Sequence, residues 1–177
     1  MDKIAVALRR KPQPDAKAGA AGATSRAASE ATFKAFFEAY ALRDAQKVAP
    51  FLHDDVEWTV SGPVDVLPFC GVHRGRDNVV DLIGRQVPAV LRVSSFVPES
   101  VVIDGDQVAL LTRLTARRAS DGHVISYRVA NFFRFRDGQV FRNLSLLDSF
   151  DAVEQVIGHS LTDRGGIVPA MGDLVSL

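Results

Sequence analysis

The chain has 177 residues carrying 21 basic and 21 acidic side chains. That is enough for one domain with a sizeable core, and too balanced in charge for a nucleic-acid-binding or basic membrane-surface protein. Cys70 is the single cysteine, which excludes an internal disulfide and a cysteine-built zinc site and fits a reducing, cytoplasmic setting. No apolar run approaches the ~20 residues of a membrane span, so no membrane partner is expected.

Residues 1–10 hold a short apolar patch whose basic residues follow it, the reverse of a secretory signal. Residues 11–28 are rich in Ala, Pro, Gly and Ser without an apolar period. Residues 1–28 therefore read as a flexible leader, either a disordered extension or a transit peptide, outside a domain of residues 29–158. Ser29 is placed to cap a first helix whose Phe33, Phe36, Phe37 and Tyr40 share one face. Arg43-Asp44 ends it, and Asp44 caps a shorter helix limited by Pro50. Asp54-Asp55 reads as a turn into the strand Val56-Glu57-Trp58-Thr59-Val60.

An irregular loop follows from Ser61 to Gly75. Asp77 or Asn78 then caps a third helix with Val79, Leu82, Ile83 and Val87 inward, stopped at Pro88. A strand around Phe96 to Ile103 turns at Asp104-Gly105-Asp106 into a three-strand meander, folded at Asp121-Gly122 and Asp137-Gly138. Asp151 to Ile157 reads as a helical end closed by Gly158. Residues 159–177 form a tail without a readable pattern. Helices followed by a bent antiparallel meander predict an α+β domain with helices covering one sheet face.

Two-residue turns would set Phe135 opposite Val140, Asn131 opposite Leu144 and Thr112 opposite Asn131. Leu110, Thr112, Leu114, Tyr127, Val129, Asn131, Phe133 and Phe135 then share the inner face with Val140, Arg142, Leu144, Leu146 and Asp148. Arg113, Arg128, Phe132, Arg134, Phe141, Asn143 and Leu147 fall on the outer face. Phe132, Phe141 and Leu147 make that outer face a candidate homodimer contact. Polar groups on the apolar inner face must be paired or line a cavity. Asn131 could thus polarise a ligand carbonyl or tie Thr112 across the ladder. Arg142 could bind a carboxylate ligand or pair with Asp148. Trp58 and Tyr40 read as wall residues, and Tyr127 and Phe133 join them by alternation. No spacing of His, Asp and Glu makes a metal site, and no phosphate loop or dinucleotide fingerprint is present, so no cofactor is expected.

With its aromatic first helix, Arg43-Asp44, Asp54-Asp55-Val56-Glu57-Trp58 and Gly71-Val72-His73-Arg74-Gly75-Arg76-Asp77, the chain resembles the nuclear-transport-factor-2-like superfamily. Phe133-Arg134-Phe135-Arg136-Asp137-Gly138-Gln139-Val140 and Leu147-Asp148-Ser149-Phe150-Asp151 extend the match, within the SnoaL-like and ketosteroid-isomerase-like branch. The resemblance implies a cone-shaped, curved antiparallel (mixed) sheet wrapped around the N-terminal helices, enclosing a hydrophobic pocket. It also implies dimerisation through the outer sheet face. The general-base aspartate of ketosteroid isomerases aligns with Val60 here, and their oxyanion-hole positions fall near Phe36 and on Asn131. The Arg-x-Asp of the epoxide hydrolases has its nearest match in Arg113-Leu114-Thr115, which lacks the aspartate.

An acidic residue of cyclase-like members matches Asp148, which could act as an acid or base or cap the last helix. His73 could reach the pocket or face solvent. The chain is thus expected to take a small hydrophobic molecule, either as a cofactor-independent isomerase, cyclase or dehydratase acting on a carbonyl compound, or as a non-catalytic binding or interaction module.

Overall fold

A computed structural model describes residues 20–161. The expectations for residues 1–19 and 162–177, most of the leader and the tail, lie outside them. Helix α1 (Ala20–Ala41) buries Phe33, Phe36, Phe37 and Tyr40 at the expected spacing. Its start corrects the reading at Ser29, because the backbone is already helical at Ala20. Alanine is the strongest helix former, so this stretch extends the helix although it carries no apolar period. Arg43 then takes a left-handed φ of 55°, and its N–H donates to the Tyr40 carbonyl at 3.0 Å. Asp44 caps α2 (Ala45–Val48), accepting from the Gln46 and Lys47 N–H groups at 3.1 and 3.3 Å.

A 3-10 turn at Ala49–Phe51 leads into β1 (Leu52–Ser61). Asp54 and Asp55 lie inside that strand and form no turn. The β1 ladder slips between Leu52 and Glu57, and both acids sit exposed in this irregular stretch. Within the expected loop, β2 (Gly71–Arg74) pairs antiparallel with β1.

The third helix is capped by Gly75 at a φ of 84°, and neither Asp77 nor Asn78 caps it. The Asn78 amide turns back to the Arg74 carbonyl at 2.7 Å instead. This helix starts as α3 (Arg76–Asp81), widens into a π-helical turn at Leu82–Gln86, and finishes as α4 (Val87–Val90). It passes through Pro88. The last bond of the π turn runs from the Val87 N–H to the Leu82 carbonyl, and the proline that follows has no N–H to place.

Strands β3 (Leu91–Asp104), β4 (Gln107–Arg118), β5 (Val124–Arg136) and β6 (Gln139–Leu147) complete one six-stranded sheet in the order β2-β1-β6-β5-β4-β3. Only the β1–β6 pairing is parallel, so the fold is α+β with a mixed, curved, unclosed sheet. Irregularities at Val93/Ser95 and Pro98/Ser100 bend β3, an edge strand where a proline costs no ladder bond. Helix α5 (Ser149–Ile157) ends at Gly158 with a φ of 83°, as the sequence suggests.

Phe135 pairs with Val140 as expected, but the ladder shifts between Arg134 and Phe135. Asn131 therefore faces Ser145, and the alternation of β6 inverts beyond this point. Asn143 and Ser145 are buried and Leu147 turns inward, while Arg142 and Leu146 are exposed. On the other side Thr112 pairs with Val129, because the connection around Asp121-Gly122 is longer than two residues. That slip is an even number of residues, so the faces of β4 and β5 stay as expected.

Candidate functional site

The aromatic face of α1 meets the inner sheet face in a continuous cluster. Phe36 stands edge-on to Phe133 at 5.2 Å, and Trp58 to Phe133 at 5.8 Å. Tyr40 lies 5.6 Å from Trp58 and edge-on to Phe96 at 5.4 Å. Such pairs fill the space between α1 and the sheet with rigid apolar volume. Beyond Tyr40 the filling stops, and a cavity of about 40 Å³, partly open to solvent at its mouth, lies between the end of α1, the α3–α4 helix and the sheet. Its walls are Trp58, Val60, Phe69, Leu82, Ile83, Val87, Phe96, Leu114, Val129 and Leu147. Four polar side chains reach it: Tyr40, Arg43, Tyr127 and Ser145.

Both tyrosines border the cavity, and neither hydroxyl is among the buried, unpaired polar atoms of the described residues, so each is open to the space beside it. Burial pushes the Tyr127 phenol well above its ordinary value, and nearby Arg43 only partly opposes this, so it stays protonated and able to donate. Ser145 is committed. It accepts from the Asn143 amide at 2.8 Å and donates to Asn131 Oδ1 at 2.7 Å. This buried chain leaves Asn131 Nδ2 and Asn143 Oδ1 without partners.

Arg43 is the exception among the charged groups. Its guanidinium stacks over Tyr40 at 4.7 Å and Phe96 at 5.6 Å, and its Nη1 is buried with no partner. The neighbouring Asp44 cannot neutralise it, since that carboxylate is spent on α2 and on Lys47 at 3.4 Å.

The residues expected from sequence are distributed unevenly. Trp58, Tyr40 and Tyr127 line the cavity. Phe36 and Phe133 are buried in the aromatic cluster behind it. Asn131 is buried in the serine-linked chain and bonds Ser145, while Thr112 donates to the Val129 carbonyl. Arg142 is exposed and lies 3.6 Å from Glu57, which also holds Arg74 at 3.2 Å; its expected pairing with Asp148 is not made. His73 lies on β2 with Nε2 donating to the Phe69 carbonyl at 3.0 Å. Asp148 is exposed at the start of α5 and makes no side-chain cap bond. Neither His73 nor Asp148 is in the cavity lining, and no carboxylate or imidazole is.

Sequence reasoning used Arg43 as a helix stop and as part of the family resemblance, and never as a site residue. The available signal was an arginine standing where a helix end favours glycine or asparagine. Close to the wall, burial pushes the Cys70 thiol up to about 11, so it is an un-ionised structural group. Among the described residues no cluster of His, Cys, Asp and Glu could hold a metal ion, and no helix is long and apolar enough to cross a membrane.

The sequence profile of the SnoaL-like domain matches residues 33–143. A candidate isomerase from Rhodopseudomonas palustris is 30% identical, covers 74% of this chain and 97% of its own, and superposes with a TM-score of 0.65. A nuclear-transport-factor-2-like protein of unknown function from Burkholderia pseudomallei is 21% identical over 73% of this chain and 97% of its own, with a TM-score of 0.66. TerC, co-crystallised with polyporic acid, is 19% identical over 73% and 98%, with a TM-score of 0.65. No functionally curated protein matches.

Proposed function

The chain belongs to the SnoaL-like family, and from that membership we propose that it holds a small, largely apolar molecule in the cavity beneath α1 and polarises that molecule's oxygen. One observation carries the reading: two phenols, Tyr40 and Tyr127, border a largely apolar cavity into which their hydroxyls can donate. Donors beside an apolar space gain from a ligand or water that accepts from them. A carbonyl oxygen between them would complete both bonds and gain polarisation.

Proton abstraction at carbon needs a base within reach, and the lining offers neither carboxylate nor imidazole. Binding with electrophilic polarisation is therefore the reading the geometry favours. The 30% identical candidate isomerase supports a second reading, isomerisation, with Asp148 or His73 as the base and Asn131 supporting the site from behind. A homodimer through the outer sheet face and a cytoplasmic setting belong to the same proposal. The exposed apolar patch there is Phe132 with Leu146, since Leu147 turns inward and Phe141 is covered by Arg136 at 3.5 Å.

Trp58 is the only tryptophan in the chain and stands in the cavity wall, so its emission reports occupancy. Titration with acetophenone should quench it saturably, and Leu114→Phe, which fills the cavity, should abolish the saturation. A linear, non-saturating response would remove the binding reading. Deuterium uptake at the ketone methyl in heavy water, followed by NMR, separates the two readings: uptake above buffer requires a base and favours the enzyme.

A further inference from the structure

We propose that the cavity selects an organic anion, a planar carboxylate on a small apolar body, and that Arg43 is its charge partner. The inference rests on the occupancy reading above and names the class of ligand that fills the site. Three independent features point to it.

The first is charge. An arginine remains protonated at any ordinary pH, and a buried guanidinium nitrogen without an acceptor is among the most expensive polar groups a fold can keep. Arg43 Nη1 is such a group. No carboxylate lies in ion-pair reach of it among the described residues, and Asp44 next door is occupied elsewhere.

The second is backbone. Arg43 sits at a φ of 55°, a conformation that suits glycine or asparagine and strains a side chain with a Cβ. Asp44 would cap α2 equally well after a glycine at position 43. The strained position holds an arginine all the same, and an outlier of this kind points to a role outside folding.

The third is orientation. The guanidinium rests over Tyr40 and Phe96 at the cavity wall, so its place is set before a ligand arrives. A planar fork matches the two oxygens of a carboxylate, while the apolar walls of Val60, Leu82, Val129 and Leu147 suit a hydrocarbon or aromatic body. The Tyr127 hydroxyl, kept protonated by burial, is a further donor to the same anion.

Isothermal titration of the full chain with benzoate and with its neutral isostere benzamide tests this. The wild type should prefer benzoate by about 10–100-fold, the range for a charge-assisted bond. Arg43→Gln should bring the two affinities within a few-fold of each other. Arg43→Gly should lose benzoate in the same way while its thermal midpoint holds or rises, because the strain is relieved. Equal affinities on the wild type, or a benzoate preference that survives in Arg43→Gln, would overturn the anion assignment and leave the occupancy reading standing. If neither compound binds, the anion assignment fails, and the acetophenone titration alone decides the occupancy reading. If both variants unfold, Arg43 is a structural residue and the assignment fails.

Discussion

The two faces of the sheet treat arginine in opposite ways. On the outer face Glu99 accepts from Arg113 at 2.9 Å and from Arg128 at 2.7 Å, and Asp106 holds Arg134 at 3.3 Å. All are open to solvent, Glu99 least, and water would solvate these charges with little help. At the edge of the inner face Arg43 lies against Tyr40 and Phe96 with Nη1 buried, and no acid is in ion-pair reach among the described residues. Pairing is thus abundant where it matters little and missing where it matters most. Exposed ion pairs contribute little because each partner is already hydrated, whereas a buried unpaired group keeps the full cost of lost hydration. The contrast separates surface upkeep from a site that awaits something.

The sharpest way to break this contrast is to damage the inner face. Trp58→Ala should cost about 3–5 kcal/mol in urea unfolding, since Trp58 is fully buried and contacts Tyr40 and Phe133. A loss under 1 kcal/mol would mean that the aromatic cluster does not hold the cone together. Next comes Ser145→Ala, which strips a partner from both Asn131 and Asn143 and should cost roughly 1–3 kcal/mol. A neutral result would show those amides satisfied by something other than the serine.

Smaller again is an alkaline effect from the same side. The Cys70 thiol is raised from 9.0 to about 11 by burial, so the folded state binds its proton more tightly than the unfolded one. The stability it contributes is complete below pH 9 and is lost as pH rises toward 11, by on the order of 1–2 kcal/mol. Cys70→Ala should flatten that part of a denaturation midpoint measured against pH. Smallest of all is Glu99→Gln on the outer face. Although its two arginines hold the Glu99 carboxyl below the usual range, the neutral-pH thermal midpoint should barely move. A large drop there would erase the distinction between the faces.

How far these faces could be read from the sequence depended on parity. Asp137-Gly138 fixed Phe135 against Val140, and period-two alternation then sorted β4 and β5 correctly even though Thr112 was matched to the wrong partner. The shift at Arg134/Phe135 has no composition signature, since both residues suit a strand. It moved Arg142 to solvent and brought Asn143, Ser145 and Leu147 inside. Tyr40, Trp58 and Tyr127 were identifiable as wall residues because large aromatics on core-facing positions must border whatever space is left. Phe36 and Phe133 have the same character and differ only in depth, which alternation does not encode. Arg43 was visible as a punctuation mark and not as a side chain, because its left-handed backbone and the spent carboxylate of Asp44 emerge only in three dimensions.

The parallel pairing of β1 with β6 governs the order in which the chain can assemble during synthesis. The β3–β4–β5 meander needs only neighbours in sequence and can form as soon as it leaves the ribosome. Strand β1 emerges much earlier and can pair with β2, yet its parallel ladder, Trp58 with Asn143 and Val60 with Ser145, must wait for β6. Until then the aromatic face of α1 has only part of its sheet to lie on. A nascent chain stalled before Leu147 would therefore display Phe36, Tyr40 and Trp58 to whatever chaperone is near. Ribosome-bound intermediates of graded length should lose that exposure abruptly, when β6 clears the exit tunnel.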